Sequence, residues 1–184
     1  MFSNVFAGKR EEAAARGLYE SIVAQARAPE FFRDAAVPDS VDGRFESLIL
    51  HMFLVLHRLK QDHARTADLG QTLFDLMFFD MDQSIRVSGV GDLSVGPRIK
   101  AMGQAFYGHI AAYEAALAGG EGSLPETLAR NLYGTVEAPR AAVLEAMAAY
   151  LRREVAALQA LETESLLRGE VSFGPPPQLP AESD

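Results

Sequence analysis

LGQTLFDLMFFDMDQSIRVSGVGDLSVGPRIKAMGQAFYGHIAAYEAAL, residues Leu69 to Leu117, is the stretch on which the fold of this chain turns. Leu69, Leu73, Leu76, Met77 and Asp80 recur at the three-and-four spacing of one helical face, and Phe74, Phe78, Met81 and Ile85 line the neighbouring face. Apolar groups therefore cover most of a first helix. Gly89, Gly91 and Gly96 then supply residues that tolerate tight backbone, Asp92 and Ser94 are candidate caps, and Pro97 suits a first helical turn. Ile99, Met102, Phe106, Ile110, Tyr113 and Leu117 repeat at helical spacing beyond it. The simplest geometry is an αα-hairpin whose two apolar faces meet each other or jointly receive something else.

The rest of the chain reads as helices packed around that hairpin. A helix from about Lys9 to Arg27 carries the stripe Leu18, Tyr19, Ile22, Val23 and Ala26 and ends at Pro29. PEFFRDAAVPDSVDGRFE is turn-rich, with Phe31 and Phe32 expected to tuck inward. SLILHMFLVLHRL, within a helix from about Arg44 to Gln61, is the expected buried centre; broken by His51 and His57, it is too short to cross a bilayer. AGGEGSLPE marks a pause, followed by a short helix over about Pro125 to Tyr133 with Ser123 as its cap, and a long one over about Pro139 to Leu167. No segment alternates with period two, so the expectation is an all-α fold. It is a single compact domain of about six helices over residues 1–168, with a flexible, proline-rich, acidic tail over 169–184.

Composition narrows the function classes. With 184 residues, 48% of them hydrophobic, the chain can bury a substantial core. It has no Cys, which removes disulfides and thiolate metal sites. The first residues show no apolar leader, and Glu11 and Glu12 are unlike a transit peptide, so a bacterial or mature intracellular chain is expected. The net charge of −8 is concentrated at the C-terminal end: residues 110–184 hold 5 Lys and Arg against 11 Asp and Glu, while residues 44–109 balance at 7 and 7. No basic stripe suited to phosphates exists, which argues against nucleic acid as a direct partner.

Candidate chemistry is sparse. His51, His57 and His63 are spaced by six, a rotation of about 240° on a helix, so they do not share a face; His51 reads as a hydrogen-bonded core residue. Asp75, Asp80 and Asp82 resemble one of the paired aspartate clusters of metal-dependent helical enzymes, yet stand alone, and Asp82 pairs more simply with Arg86. The glycines of the turn lack the GxGxxG spacing and any Walker lysine, and no serine sits in a GxSxG setting. No cofactor, metal or catalytic residue is expected.

RFESLILHMFLVLHRLK, the run GVGDLSVG joined to KAMGQAFYG, and LARNLYG resemble the ubiquinol cytochrome c chaperone family, the assembly factors of the cytochrome bc1 complex; the similarity extends over about Ala24 to Gly134 and includes VPDSVDGRFE. The resemblance implies an all-α domain without catalytic activity. It also implies a role binding newly made cytochrome b, as mitochondrial members do near the ribosome exit with a small helical partner. A bacterial member would then work in the cytoplasm or at the cytoplasmic face of the inner membrane, and a eukaryotic one on the matrix side, with peripheral membrane association. Matching positions are Asp39, Gly43, Arg44, Phe45, Asp80, Asp82, Arg86, Gly89, Gly91, Asp92, Leu93, Val95, Gly96, Arg98, Lys100, Met102, Phe106, Tyr107, Gly108 and Tyr113. Val87, Ser88, Pro97 and His109 depart from the family pattern and make the partner surface less polar.

A protein that holds an apolar client needs an exposed groove, and soft Met with flat Phe suits one. The expected client or partner surface is therefore Phe74, Met77, Phe78, Met81, Asp82, Arg86, Asp92, Arg98, Lys100, Met102, Phe106 and Tyr107. The competing reading is that the stripe is core, since helical apolar stripes pack inward. A peripheral lipid or quinone binder and a metal-dependent helical enzyme are the alternatives from other classes.

Overall fold

The structure, a computed structural model, describes residues 2–87, 92–120 and 122–179, with the side chains of residues 2–7, 92–94 and 98 excluded. Eight helical segments follow one another: α1 (Phe2–Ala26), α2 (Pro29–Arg33), α3 (Val41–Lys60), α4 (His63–Val87), α5 (Asp92–Leu117), α6 (Leu124–Asn131), α7 (Ala141–Gln159) and α8 (Thr163–Leu167). No strand occurs among the described residues, and the fold is all-α. The two extra segments are one-turn helices of five residues, α2 and α8.

α3 is the axis. Its Ile49, Met52, Val55 and Leu59 are buried with Leu18 and Ile22 of α1, Leu73 and Met77 of α4 and Phe106 of α5. Its Leu50, Phe53 and Leu54 are buried with Phe31, Leu128, Tyr133, Met147 and Leu151. An all-round apolar helix has to be covered on every side. The start of α3 is fixed by Ser40, whose Oγ accepts from the Gly43 amide at 3.1 Å. Gly43 is required there: a Cβ would stand 2.0 Å from the Pro38 carbonyl oxygen. α6 begins with a full capping box, in which Glu126 N–H donates to Ser123 Oγ and Ser123 N–H donates to Glu126 Oε2.

Two expectations are corrected. The long C-terminal helix breaks after Gln159, and Arg58 explains the break: its buried guanidinium donates to the Leu158 carbonyl at 3.0 Å, the Leu161 carbonyl at 2.8 Å and Thr163 Oγ1 at 2.9 Å. A cation serving the last carbonyls of α7 stabilises an end there. The tail, read as loose from its prolines, is packed over its described part. Gly174 N–H donates to Oε2 of the buried Glu154 at 2.9 Å, Gln25 donates to the Gly174 carbonyl at 2.9 Å, and Phe173 meets the His51 ring edge-on at 5.7 Å. Lacking helix from 170 to 179, it forms an extended strap across α1 and α7.

Candidate protein-binding surface on the α4–α5 hairpin

α4 turns one face to the core through Thr66, Leu69, Leu73, Met77 and Met81. The face read beside it holds Phe74 and Phe78, half-buried against the same core. From α5, Phe106 enters this layer with 2% of its surface exposed, while its neighbour Tyr107 is 62% exposed. The four rings form one continuous cluster: Phe74 to Phe78 at 4.6 Å, Phe74 to Phe106 at 5.3 Å, Phe74 to Tyr107 at 5.5 Å and Phe78 to Phe106 at 6.1 Å between centroids. Tilted and edge-on ring pairs of this kind add about 0.5–1.5 kcal/mol each beyond simple burial. The cluster thus carries apolar contact without a break from core to surface.

The twelve expected surface residues divide accordingly. Met77, Met81 and Phe106 are core, at 0%, 9% and 2% exposure, and form no surface in this conformation; an apolar stripe that faces its own protein satisfies the competing reading. Phe74, Phe78 and Met102 are half-buried and Tyr107 is exposed. Asp82 and Arg86 pair one turn apart, as expected, with Arg86 Nε 2.7 Å from Asp82 Oδ2, and the guanidinium holds the Asp82 carboxyl below the usual carboxylate range. Lys100 is exposed on α5, seven residues before Tyr107 and so on the same helical face. The side chains of Asp92 and Arg98 lie outside the described residues, as do Gly89, Gly91 and the cap expected of Ser94. Pro97 is inside α5, in its second turn.

Sequence reasoning missed Phe79, which is 63% exposed on α4. It belongs to neither apolar face of that helix, and this is the signal that could have marked it. Spacing puts it beside Asp75 and Asp82. Tyr19 was also missed: its hydroxyl donates to Asp80 Oδ2 at 2.9 Å and ties α1 to the hairpin. Burial and that carboxylate raise the Tyr19 pKa well above the ordinary phenol value.

The histidines fall as their spacing implied for His51. It is fully buried, its Nδ1 is 2.7 Å from the Ser47 carbonyl and its Nε2 is 2.9 Å from Tyr150 Oη. A carbonyl only accepts, so Nδ1 carries the proton and Nε2 accepts from Tyr150, whose oxygen accepts in turn from Gln25 at 3.0 Å. Burial pushes the His51 pKa down to about 4, so the ring is neutral at physiological pH. His57 lies 3.8 Å from Glu114 at a half-buried rim. Among the described residues no three carboxylate or imidazole groups gather as metal ligands, and no helix is long and apolar enough to cross a membrane.

Comparison with known proteins follows the same outline. The chain is 28% identical to ubiquinol-cytochrome-c reductase complex assembly factor 1 of Xenopus laevis, over 92% of this chain and 85% of that protein. It is 29% identical to the Homo sapiens protein of that name over 88% of this chain, but spans only 54% of the human protein's length. The crystal structure of the Cbp3 homolog from Brucella abortus superposes with a TM-score of 0.83 and 34% identity, covering 98% of this chain and all of that one. A family profile described as ubiquinol-cytochrome C chaperone matches residues 33–173, and with most of its length accounted for in this way the chain belongs to the ubiquinol-cytochrome c chaperone family.

Proposed function

We propose that this protein is an assembly factor of the cytochrome bc1 complex that acts by binding, and that its client is newly made cytochrome b, received on the α4–α5 hairpin. The observation that carries the reading is the aromatic cluster that begins at buried Phe106 and ends at exposed Tyr107, with Phe79 exposed on the partner helix. Each large aromatic left in water forgoes about 1.5–3 kcal/mol of burial, which a docked apolar segment would recover. Tyr107 and Phe79 are the contact residues of this surface, Phe74, Phe78 and Met102 its floor, and Asp82, Arg86 and Lys100 its polar rim. Work beside a membrane fits a peripheral position at the cytoplasmic face of the bacterial inner membrane. Support by a small helical partner or by the ribosome belongs to the same reading.

Two experiments test it. A photo-reactive amino acid placed at Phe79 or Tyr107 captures cytochrome b in growing cells; capture equal to that from a remote exposed position such as Arg152 would reject the surface. Removing the gene lowers haem-loaded cytochrome b in membranes, and normal levels would reject the client.

A further inference from the structure

Residues 171–179 lie on this protein as a bound peptide would. Among the described residues the segment makes no backbone–backbone hydrogen bond, and the last one before it runs from the Glu170 amide to the Ser165 carbonyl at 2.9 Å. The hydrogen bonds to its backbone come instead from side chains on either side. Gln25 of α1 donates to the Gly174 carbonyl at 2.9 Å, Oε2 of Glu154 on α7 accepts from the Gly174 amide at 2.9 Å, and Arg153 of α7 donates to the Pro175 carbonyl. α1 packs on α3, α4 and α8, and α7 packs on α3 and α6, so the segment fills a cleft between α1 and α7. Phe173 is its anchor, set edge-on to His51 of α3 and, with Val171, packed against both hydrophobic clusters of the core.

The groups that hold the segment are positioned without it. The Gln25 amide also donates to Tyr150 Oη at 3.0 Å, Tyr150 is tied to His51 at 2.9 Å, and the Arg153 guanidinium lies over the Tyr150 ring, 5.0 Å from its centroid. Arg153 Nε holds Glu154 Oε1 at 2.8 Å and leaves Oε2 for an amide. Donors and acceptors fixed in advance lower the cost of ordering on binding. The cleft is also selective. A Cβ at Gly174 would stand 2.7 Å from Glu154 Oε1 and 3.0 Å from Arg153 Nη2, and Glu154, 1% exposed, has no room to retreat. Prolines at 175–177 bring no N–H that would need an acceptor. Ring, glycine and proline in succession are therefore what this cleft accepts.

We propose that the cleft between α1 and α7 is a peptide-recognition site for an extended aromatic–Gly–Pro segment, occupied in this chain by its own tail, and that a segment of the same chemistry on a partner protein takes the tail's place. A segment without backbone pairing of its own opens apart from the helices around it. In cis the tail competes at an effective concentration on the order of millimolar, so the cleft answers only a partner that binds more tightly or is held at high local concentration.

The test uses the full chain with Gly174→Val, whose added side chain expels the tail, and an N-terminally labelled peptide, Glu-Val-Ser-Phe-Gly-Pro-Pro-Pro-Gln-Leu, that copies residues 170–179. The expected result is saturable binding to the variant, at least about tenfold weaker binding to the native chain, whose cleft is filled, and at least about tenfold weaker binding of a peptide with valine in place of its glycine. No saturable binding to the variant, equal binding to variant and native chain, or equal binding of the two peptides overturns the proposal and makes the tail a fixed part of the core. Sedimentation separates the occupants: the native chain is expected to stay monomeric, whereas a dimer that Gly174→Val abolishes would make a second copy the occupant and overturn the assignment to a partner protein. Should the variant fail to fold, hydrogen exchange on the native chain decides. The Gly174 amide is expected to exchange at least about tenfold faster than the Glu154 amide of α7, and equal rates overturn the proposal.

Discussion

The two sides of α3 are built from the same residue types and end differently. Towards α7, aromatic groups are enclosed: Phe31, Phe53 and Tyr150 are buried, Tyr150 closes the hydrogen-bond chain from Gln25 to His51 to Ser47, and Glu154 is held by the Gly174 amide and Arg153. Towards the α4–α5 hairpin, phenylalanines run outward until Tyr107 stands in water, and Phe79 is exposed on α4 outside that cluster. One side is locked by polar groups that have found partners; the other leaves apolar surface available. On the proposed reading, stability and presentation belong to different layers of a small bundle, and substitutions on the two sides should separate them.

The largest effect belongs to the closed side. Phe53→Ala removes a wholly buried ring that packs 5.3 Å from both His57 and Tyr113, and is expected to cost about 3–5 kcal/mol in urea-induced unfolding. A loss below about 1 kcal/mol would show that this side is not the rigid one.

His51 sharpens the comparison through pH. Its pKa is 6.5 when unfolded and about 4 when folded, so the unfolded chain binds the extra proton as pH falls from 6.5. Stability on this account is full above pH 6.5, declines between pH 6.5 and 4, and loses up to about 3 kcal/mol there. Comparing unfolding at pH 7 and pH 4.5 for the native chain and for His51→Gln checks it: the variant should show a shallower acid decline. Equal declines would remove His51 as the cause.

Arg58→Met is next, at about 2–3 kcal/mol, because it strands two carbonyls that a buried charged donor now serves. It should also weaken amide protection in α8, read by hydrogen exchange, where the guanidinium bonds Thr163. Unchanged protection would leave the break after Gln159 without its explanation.

Much of this architecture is legible in the residue pattern, and the gaps have physical causes. The hairpin, the buried α3 and the Ser123 cap follow from local periodicity and capping chemistry, which act within a few residues. The end of α7 does not, because the group that ends it is 100 residues away on α3. The strap over 170–179 is likewise held by Gln25 and Glu154, contacts that the proline content of the tail cannot announce. At the candidate surface the pattern marked two apolar helices but could not tell buried Met77 and Phe106 from exposed Tyr107, since an apolar stripe specifies a face and not what covers it. Phe79 was legible in principle as an aromatic outside both stripes.

The smallest expected change in stability is also the one that bears hardest on the open side. Phe79→Ser and Tyr107→Ser alter side chains that are 63% and 62% exposed, so each should shift unfolding by no more than about 0.5 kcal/mol. Together they remove the outermost aromatic surface of the hairpin while Phe106 keeps its place beneath. If the open side presents surface to cytochrome b, the double variant accumulates to normal levels with an unchanged melting profile, yet fails to restore haem-loaded cytochrome b in cells lacking the gene. Phe53→Ala makes the opposite demand: its defect should follow its lowered abundance and be relieved by overexpression or lower growth temperature. A double variant that restores assembly fully would detach function from the exposed aromatics. One that unfolds would show instead that these rings belong to the stabilising layer, and the division between the two sides of α3 would fail.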